Sequence, residues 1–274
     1  MKKRIISLFL VVAVLCTALM FAGCNDEKKT TSSEPDEKSV AAVLKEAVNK
    51  NEDLDAMSAV MKMEMNIESE GMTMSVPVTA NIKAKNLKSD NMISLVDMTM
   101  SLLGEEVAMQ VYQEGEWAYV VMDDFGYKYN LEDELGGMDY ADSAKNMLAE
   151  IPEDLLLGVE PVKAEDGSQT VTISIPGEKF SEIYNELIED VAAESGALMG
   201  ETNISDAVVT ITIADGYVTV YDISFTMNMT EEGISTAVEA KVTLTFDNPG
   251  QDVEITPPEG YQDFEEMNIT ESLF

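Results

Sequence analysis

Between Ser58 and Gln113 the apolar residues fall two apart, and many of them are methionine. Met61, Met63 and Met65 open the series. Met72, Met74, Val76, Val78, Ala80 and Ile82 continue it, followed by Met92, Val96, Met98, Met100 and Leu102, then Val107, Met109 and Val111. A period of two puts alternate side chains on opposite faces of a strand, so this stretch predicts an antiparallel meander with one apolar face. Methionine is unbranched and polarizable, and it fills irregular space or accepts variable apolar partners. The face is therefore either a binding surface or an ordinary core packed with a flexible residue.

The N-terminus places the domain outside the cytoplasm. Met1-Lys2-Lys3-Arg4 precedes an apolar run from Ile5 to Ala22, the pattern of a secretory signal. Phe21-Ala22-Gly23-Cys24 resembles the bacterial lipobox, with Phe21 at a position where leucine is usual. That resemblance implies cleavage after residue 23 and a diacylglycerol on Cys24, giving a lipid-anchored protein on the extracytoplasmic face of a bacterial cell membrane. Cys16 leaves with the signal, so no internal disulfide can form in the mature chain. Residues 25–38 contain no aliphatic or aromatic side chain and read as a flexible tether.

After the tether, Ser39 precedes Val40, Val43, Leu44, Ala47 and Val48 at helical spacing. Glu70-Gly71 reads as a hairpin turn in the meander, and Lys83, Lys85 and Lys88 guard a strand end. Trp117, Tyr119 and Val121 alternate in a further strand. Asp123-Asp124-Phe125-Gly126 reads as its turn, and Tyr127 and Tyr129 return. Helical spacing recurs at Tyr140, Ala144, Met147, Leu148 and Ile151, and again at Phe180, Ile183, Tyr184, Leu187, Ile188 and Val191. Strands are predicted at 159–163, 170–175, 207–213, 217–229 and 234–246. A short echo links Met65–Gly71 with Met227–Gly233, through duplication or through convergent turn chemistry. Residues 260–274 form an acidic tail in which Tyr261 and Phe264 either pack back or do not.

Composition removes several function classes. The chain has no histidine, which excludes His-based triads and imidazole metal sites. Its formal charge is −35, and Arg4, within the signal, is its one arginine. So acidic a surface repels nucleic acid, and no guanidinium fork remains for phosphate. Asp53 and Asp55, Asp123 and Asp124, and Glu132-Asp133-Glu134 lack the spacing of a calcium loop and read as solvated turns. No catalytic residue, cofactor or metal site is predicted, and the protein reads as a non-enzyme.

The lipobox, tether, short helix and methionine meander, with Gln113-Glu114-Gly115-Glu116-Trp117-Ala118-Tyr119 inside it, resemble lipoproteins of Gram-positive bacteria with a LolA/LppX-like fold. The resemblance spans most of residues 39–259 and implies an incomplete β-barrel lidded by helices around an apolar cavity for acyl chains.

The expected architecture is α+β: one domain over 39–259, a strongly curved antiparallel sheet of about ten or eleven strands, and helices at 39–57, 140–150 and 178–194 on its concave side. The expected function is non-enzymatic binding of a lipid or acyl chain, with Met63, Met65, Met74, Met98, Met100, Met109, Trp117 and Tyr119 lining the cavity. The alternative is an envelope interaction or sensor module whose apolar face is filled by its own helices.

Overall fold

A computed structural model describes residues 39–89, 91–102, 104–122, 125–131, 153–181, 201–231 and 234–267. The expected helix at 140–150, and the 178–194 helix beyond residue 181, lie outside them, as do the signal, Cys24 and the tether.

Helix α1 (Val40–Glu52) begins where the Ser39 side chain accepts from the Ala42 amide. It ends at Asp53, earlier than the spacing predicts, because Ala56 already belongs to a strand. The strands are β1 (Ala56–Ser69), β2 (Met72–Lys85), β3 (Ile93–Leu102), β4 (Glu105–Glu114), β5 (Trp117–Met122), β6 (Phe125–Asn130), β7 (Val162–Lys163), β8 (Gln169–Ile175), β9 (Glu201–Ile204), β10 (Ala207–Ala214), β11 (Tyr217–Glu231), β12 (Ile234–Asp247) and β13 (Glu265–Glu266). They form one curved, unclosed 13-stranded sheet in the order β13-β6-β5-β4-β3-β2-β1-β12-β11-β10-β8-β7, with β9 also paired to β11. All pairs are antiparallel except β13 with β6.

The count exceeds the expected ten or eleven because β9 and β13 are only four and two residues long, too short to show a period, while the strand expected at 159–163 shrinks to the two residues of β7. Asp123 and Asp124 fall between β5 and β6, while Phe125 and Gly126 belong to β6, opposite Met122 and Val121. The turns at Glu70-Gly71 and Asp215-Gly216 carry positive φ at both residues, the twist that two-residue hairpins need. Both segments of the sequence echo flank β12, where Ile67 and Met227 face Val238 from opposite sides.

The register of β10 with β11 shifts between Thr212 and Ile213. This bulge lets Val218, and then Tyr221 and Ile223 after the change of parity, all be buried.

The C-terminal end of α1 is locked onto the β10–β11 turn. Lys50 Nζ donates to the Asp215 carbonyl at 2.6 Å and lies 3.8 Å from the centre of the Tyr217 ring. Asn51 Nδ2 donates to the Val218 carbonyl at 3.0 Å, and the Val218 amide donates to Asn51 Oδ1 at 2.9 Å. Asn51→Ala leaves both backbone groups of Val218 without these partners. It is expected to cost about 1–3 kcal/mol, read as a lower urea midpoint.

Candidate functional site

Register places one apolar face across most of the sheet. On the line Val171–Ile211–Tyr221–Leu244–Met61–Ala80–Met98–Met109–Met122–Phe125, each residue is the cross-strand partner of the next, through ten strands from β8 to β6. A second line reads Ile173–Val209–Ile223–Val242–Met63–Val78–Met100–Val107. On the described strands, charged residues take inner-face register at the strand tips Glu105 and Glu231 and in the two-residue edge strands, at Lys163 of β7 and Glu265 of β13. Lys62, Glu64, Asp97, Asp222, Glu239 and Lys241 take the opposite parity and stand on the outer face, where Glu64 lies directly across from Lys241. Along the described long strands, alternation thus puts most charged side chains on one face and the methionines on the other.

The structure brings Met63, Met65, Met74, Met98, Met100 and Met109 together on the inner face. Leu44 and Ala47 of α1, Phe180, and the partly buried Leu155, Leu156 and Val159 belong to the same core. Met61 and Met100 are each 1% exposed, so the chain's own atoms fill the centre of the face. Burial relaxes in two directions. Toward the hairpin ends opposite α1, Ile67, Met74 and Met229 are partly buried, while Met72 and Ile234 are exposed. Toward β6, Met109 and Val111 are partly buried, Met122 is exposed and Phe125 is 78% exposed.

Strands β8–β12 add to this face with Ile173, Val209, Ile223 and Met227, beyond the methionines and aromatics expected to line it. The signal was the same alternation, readable in 170–175 and 207–229. Ser94 is the one buried polar side chain among the described residues, and no group of three or more acidic or thiol side chains there could hold a metal. What the described inner face offers a ligand is dispersion and shape.

Trp117 and Tyr119 do not join the methionines. Glu114 pairs with Trp117 and Tyr112 with Tyr119, so both aromatics share the outer face of β4. There Tyr119 meets Tyr112 at 5.8 Å, and Tyr261 stands edge-on to both rings at 4.9 and 5.1 Å. Tyr261 Oη donates to Glu114 Oε2 at 3.1 Å. Burial, then the Glu114 charge, then Tyr261 raise the Tyr112 phenol well above its ordinary value, and Tyr119 is raised by the same causes in the same order. A raised phenol favours the neutral form in the fold. Its stabilisation is complete below about pH 10 and is lost as pH climbs through the raised folded value. A pH titration of thermal unfolding should therefore be flat with respect to these tyrosines up to about pH 10 and fall above it, and Tyr112→Phe should reduce that fall.

Comparison with known proteins gives a family described as "Family of unknown function (DUF6612)", matching residues 39–263. No curated protein matches the sequence. Among solved structures, the chain is similar to LprF from Mycobacterium bovis, at 12% identity and a TM-score of 0.42, over 80% of this chain and 97% of that one. It is also similar to a DUF1329 family protein from Desulfovibrio piger, at 10% identity and a TM-score of 0.26, over 79% and 95%. A third is a domain from Vibrio parahaemolyticus described as outer membrane lipoprotein-sorting, at 11% identity and a TM-score of 0.24, over 77% and 93%.

Proposed function

The chain belongs to the DUF6612 family, described as a family of unknown function, and we propose that it is an envelope lipoprotein that binds an acyl chain without chemically changing it. Residues 1–23 are the signal, Cys24 carries the anchoring lipid, and 25–38 hold the domain off the extracytoplasmic face of a Gram-positive cell membrane. The observation that carries the reading is the unbroken apolar inner face. It runs from a packed centre at Met61 and Met100 to exposed Met72 and Ile234 at one end and exposed Met122 and Phe125 at the β6 edge.

An acyl chain leaving a bilayer is already out of water. The gain of about 0.8 kcal/mol per methylene therefore largely cancels between bilayer and protein. Affinity is then set by fit and by the work of opening the packed centre, and methionine lowers the first of these penalties by adjusting its rotamers.

A second reading has its own support. With Met61 and Met100 each 1% exposed, the face also suits a module filled by its own helices that meets a protein partner through its acidic outer side. Native mass spectrometry with organic extraction, on residues 25–274 expressed without the lipid anchor and exposed to bacterial membrane lipid, separates the two. Acyl lipid bound in stoichiometric amount supports the first reading. A clean apoprotein that takes up no fluorescent fatty acid supports the second.

A further inference from the structure

One row of the outer face carries a contact that the apolar interior does not explain. Asp247, Ser58, Lys83, Leu95, Tyr112, Tyr119 and Lys128 are successive cross-strand partners from β12 through β1, β2, β3, β4 and β5 to β6. The chain leaves β12 at Asp247 and then follows that row across the strands. Lys83 Nζ donates to the Glu254 carbonyl at 3.3 Å. Tyr261 sits on Tyr112 and Tyr119, and the Phe264 ring lies 6.5 Å from Tyr119. The Met267 amide donates to the Lys128 carbonyl at 2.9 Å, and Glu265 and Glu266 pair in parallel with Tyr127 and Lys128. Six strand spacings make this a span of about 29 Å.

The docking is specific. A Cβ on Gly126 would stand 2.5 Å from Phe264 Cζ, so the ring rests on backbone that only glycine leaves bare. Tyr112 and Leu95 are 3% and 7% exposed although both are on the outer face. On the inner side the same strands are held less tightly. Val120 is buried, but Met109 and Val111 are half-covered, Met122 is exposed and Phe125 is 78% exposed. An open cleft of about 280 Å³ lies where Pro258, Glu259 and Phe264 face Gln110, Val121 and Gly126, and it leaves the joint only partly filled.

The geometry points to residues 254–267 as a strap that braces β4–β6 from outside, and whose release swings this wing away and exposes the methionine face to an acyl chain. The second half of that statement rests on the acyl-binding reading, while the bracing does not. A short segment with two paired residues and two aromatic anchors is drawn from the low-stability end of a fold, where local opening precedes global unfolding.

The full-length protein in its membrane, given palmitic acid bearing a diazirine, tests this with two variants. Tyr261→Ala with Phe264→Ala removes the anchors. Lys128→Cys with Glu266→Cys places two thiols at register partners, within reach of a disulfide that can be opened again by reductant. The anchor variant is expected to speed amide exchange across 117–130 by about tenfold or more while 61–65 keeps its protection, and to raise photoadduct formation on inner-face residues. The oxidised lock is expected to slow both, and dithiothreitol to restore them. Faster exchange confined to 254–267, or spread equally to 61–65, would overturn the strap. Absence of palmitate adducts from every form would sink the acyl-binding reading, and the exchange pattern would still decide whether the strap braces the wing.

Discussion

Replacing Met98 and Met100 together with glutamate is expected to unfold the domain, and not merely to empty a binding site. The two side chains are 2% and 1% exposed and stand across from Ala80 and Val78 on one side and Met109 and Val107 on the other. On the described strands the one lysine with inner-face register is Lys163 of β7, seven strands away from β3, while the lysines of β1, β2 and β12 take outer-face parity. Each carboxylate would be buried without a partner at a cost of several kcal/mol, against a total stability of about 5–15 kcal/mol for a domain. Circular dichroism and soluble yield should both collapse. Met98→Leu with Met100→Leu keeps volume and apolarity and should cost under about 1.5 kcal/mol per site. If the glutamate pair folds normally, the packed centre is not where the structure puts it.

Gly177→Ala is the second substitution with a large expected effect. An added Cβ would overlap the carbonyl oxygen of Ile204 and press on the backbone of Ser205. Neither is the free end of a flexible side chain. Ile204 belongs to β9, whose ladder with β11 runs through Met227, and the Ser205 amide donates to the Thr226 carbonyl at 2.8 Å. The Gly177 amide itself donates to Asp206 Oδ1 at 2.9 Å, fixing the start of the helical turn at 177–181 against the β9–β10 junction. Relieving the overlap means parting these backbones, at an expected cost of about 2–4 kcal/mol in urea-induced unfolding. Gly126 is the instructive contrast. The nearest atoms a Cβ there would meet all belong to the Phe264 ring, so Gly126→Ala should loosen the strap and leave global stability nearly unchanged.

Much of the sheet could be read from residue spacing, because every long strand has one wet and one apolar face. The alternation in 58–113 and in 207–246 marks β1 to β4 and β10 to β12, and the methionines of the first stretch do share a face. Trp117 and Tyr119 alternate too, but alternation does not say which side a new strand presents. The loop decides it. Gly115 and Glu116 make a two-residue turn, so Trp117 must stand opposite Glu114 and share its outer parity. That inference needed only the turn length, and the signal was present in Glu114-Gly115-Glu116-Trp117.

The strap had no comparable signal. Between Asp247 and Met267 no period appears, and its partners lie far back in the chain, Tyr261 reaching Glu114 across 147 positions and Glu254 reaching Lys83 across 171. Its two aromatics were visible in a tail whose packing spacing alone left open. The β10–β11 bulge is an intermediate case. Val218 and Val220 share one parity and Ile223 and Phe225 the other, a break in phase that a single extra residue explains.

The most direct measurement of the central claim is the position of photoadducts on the protein after diazirine-bearing palmitic acid is activated in its native membrane. Acyl binding to the inner face predicts adducts on Met65, Met72, Met74, Met109, Met229 and Ile234, whose side chains carry that face from its packed centre to its exposed margins. Adducts confined to the outer face at Trp117, Tyr119 or the acidic strands, or no adducts at all, would contradict it.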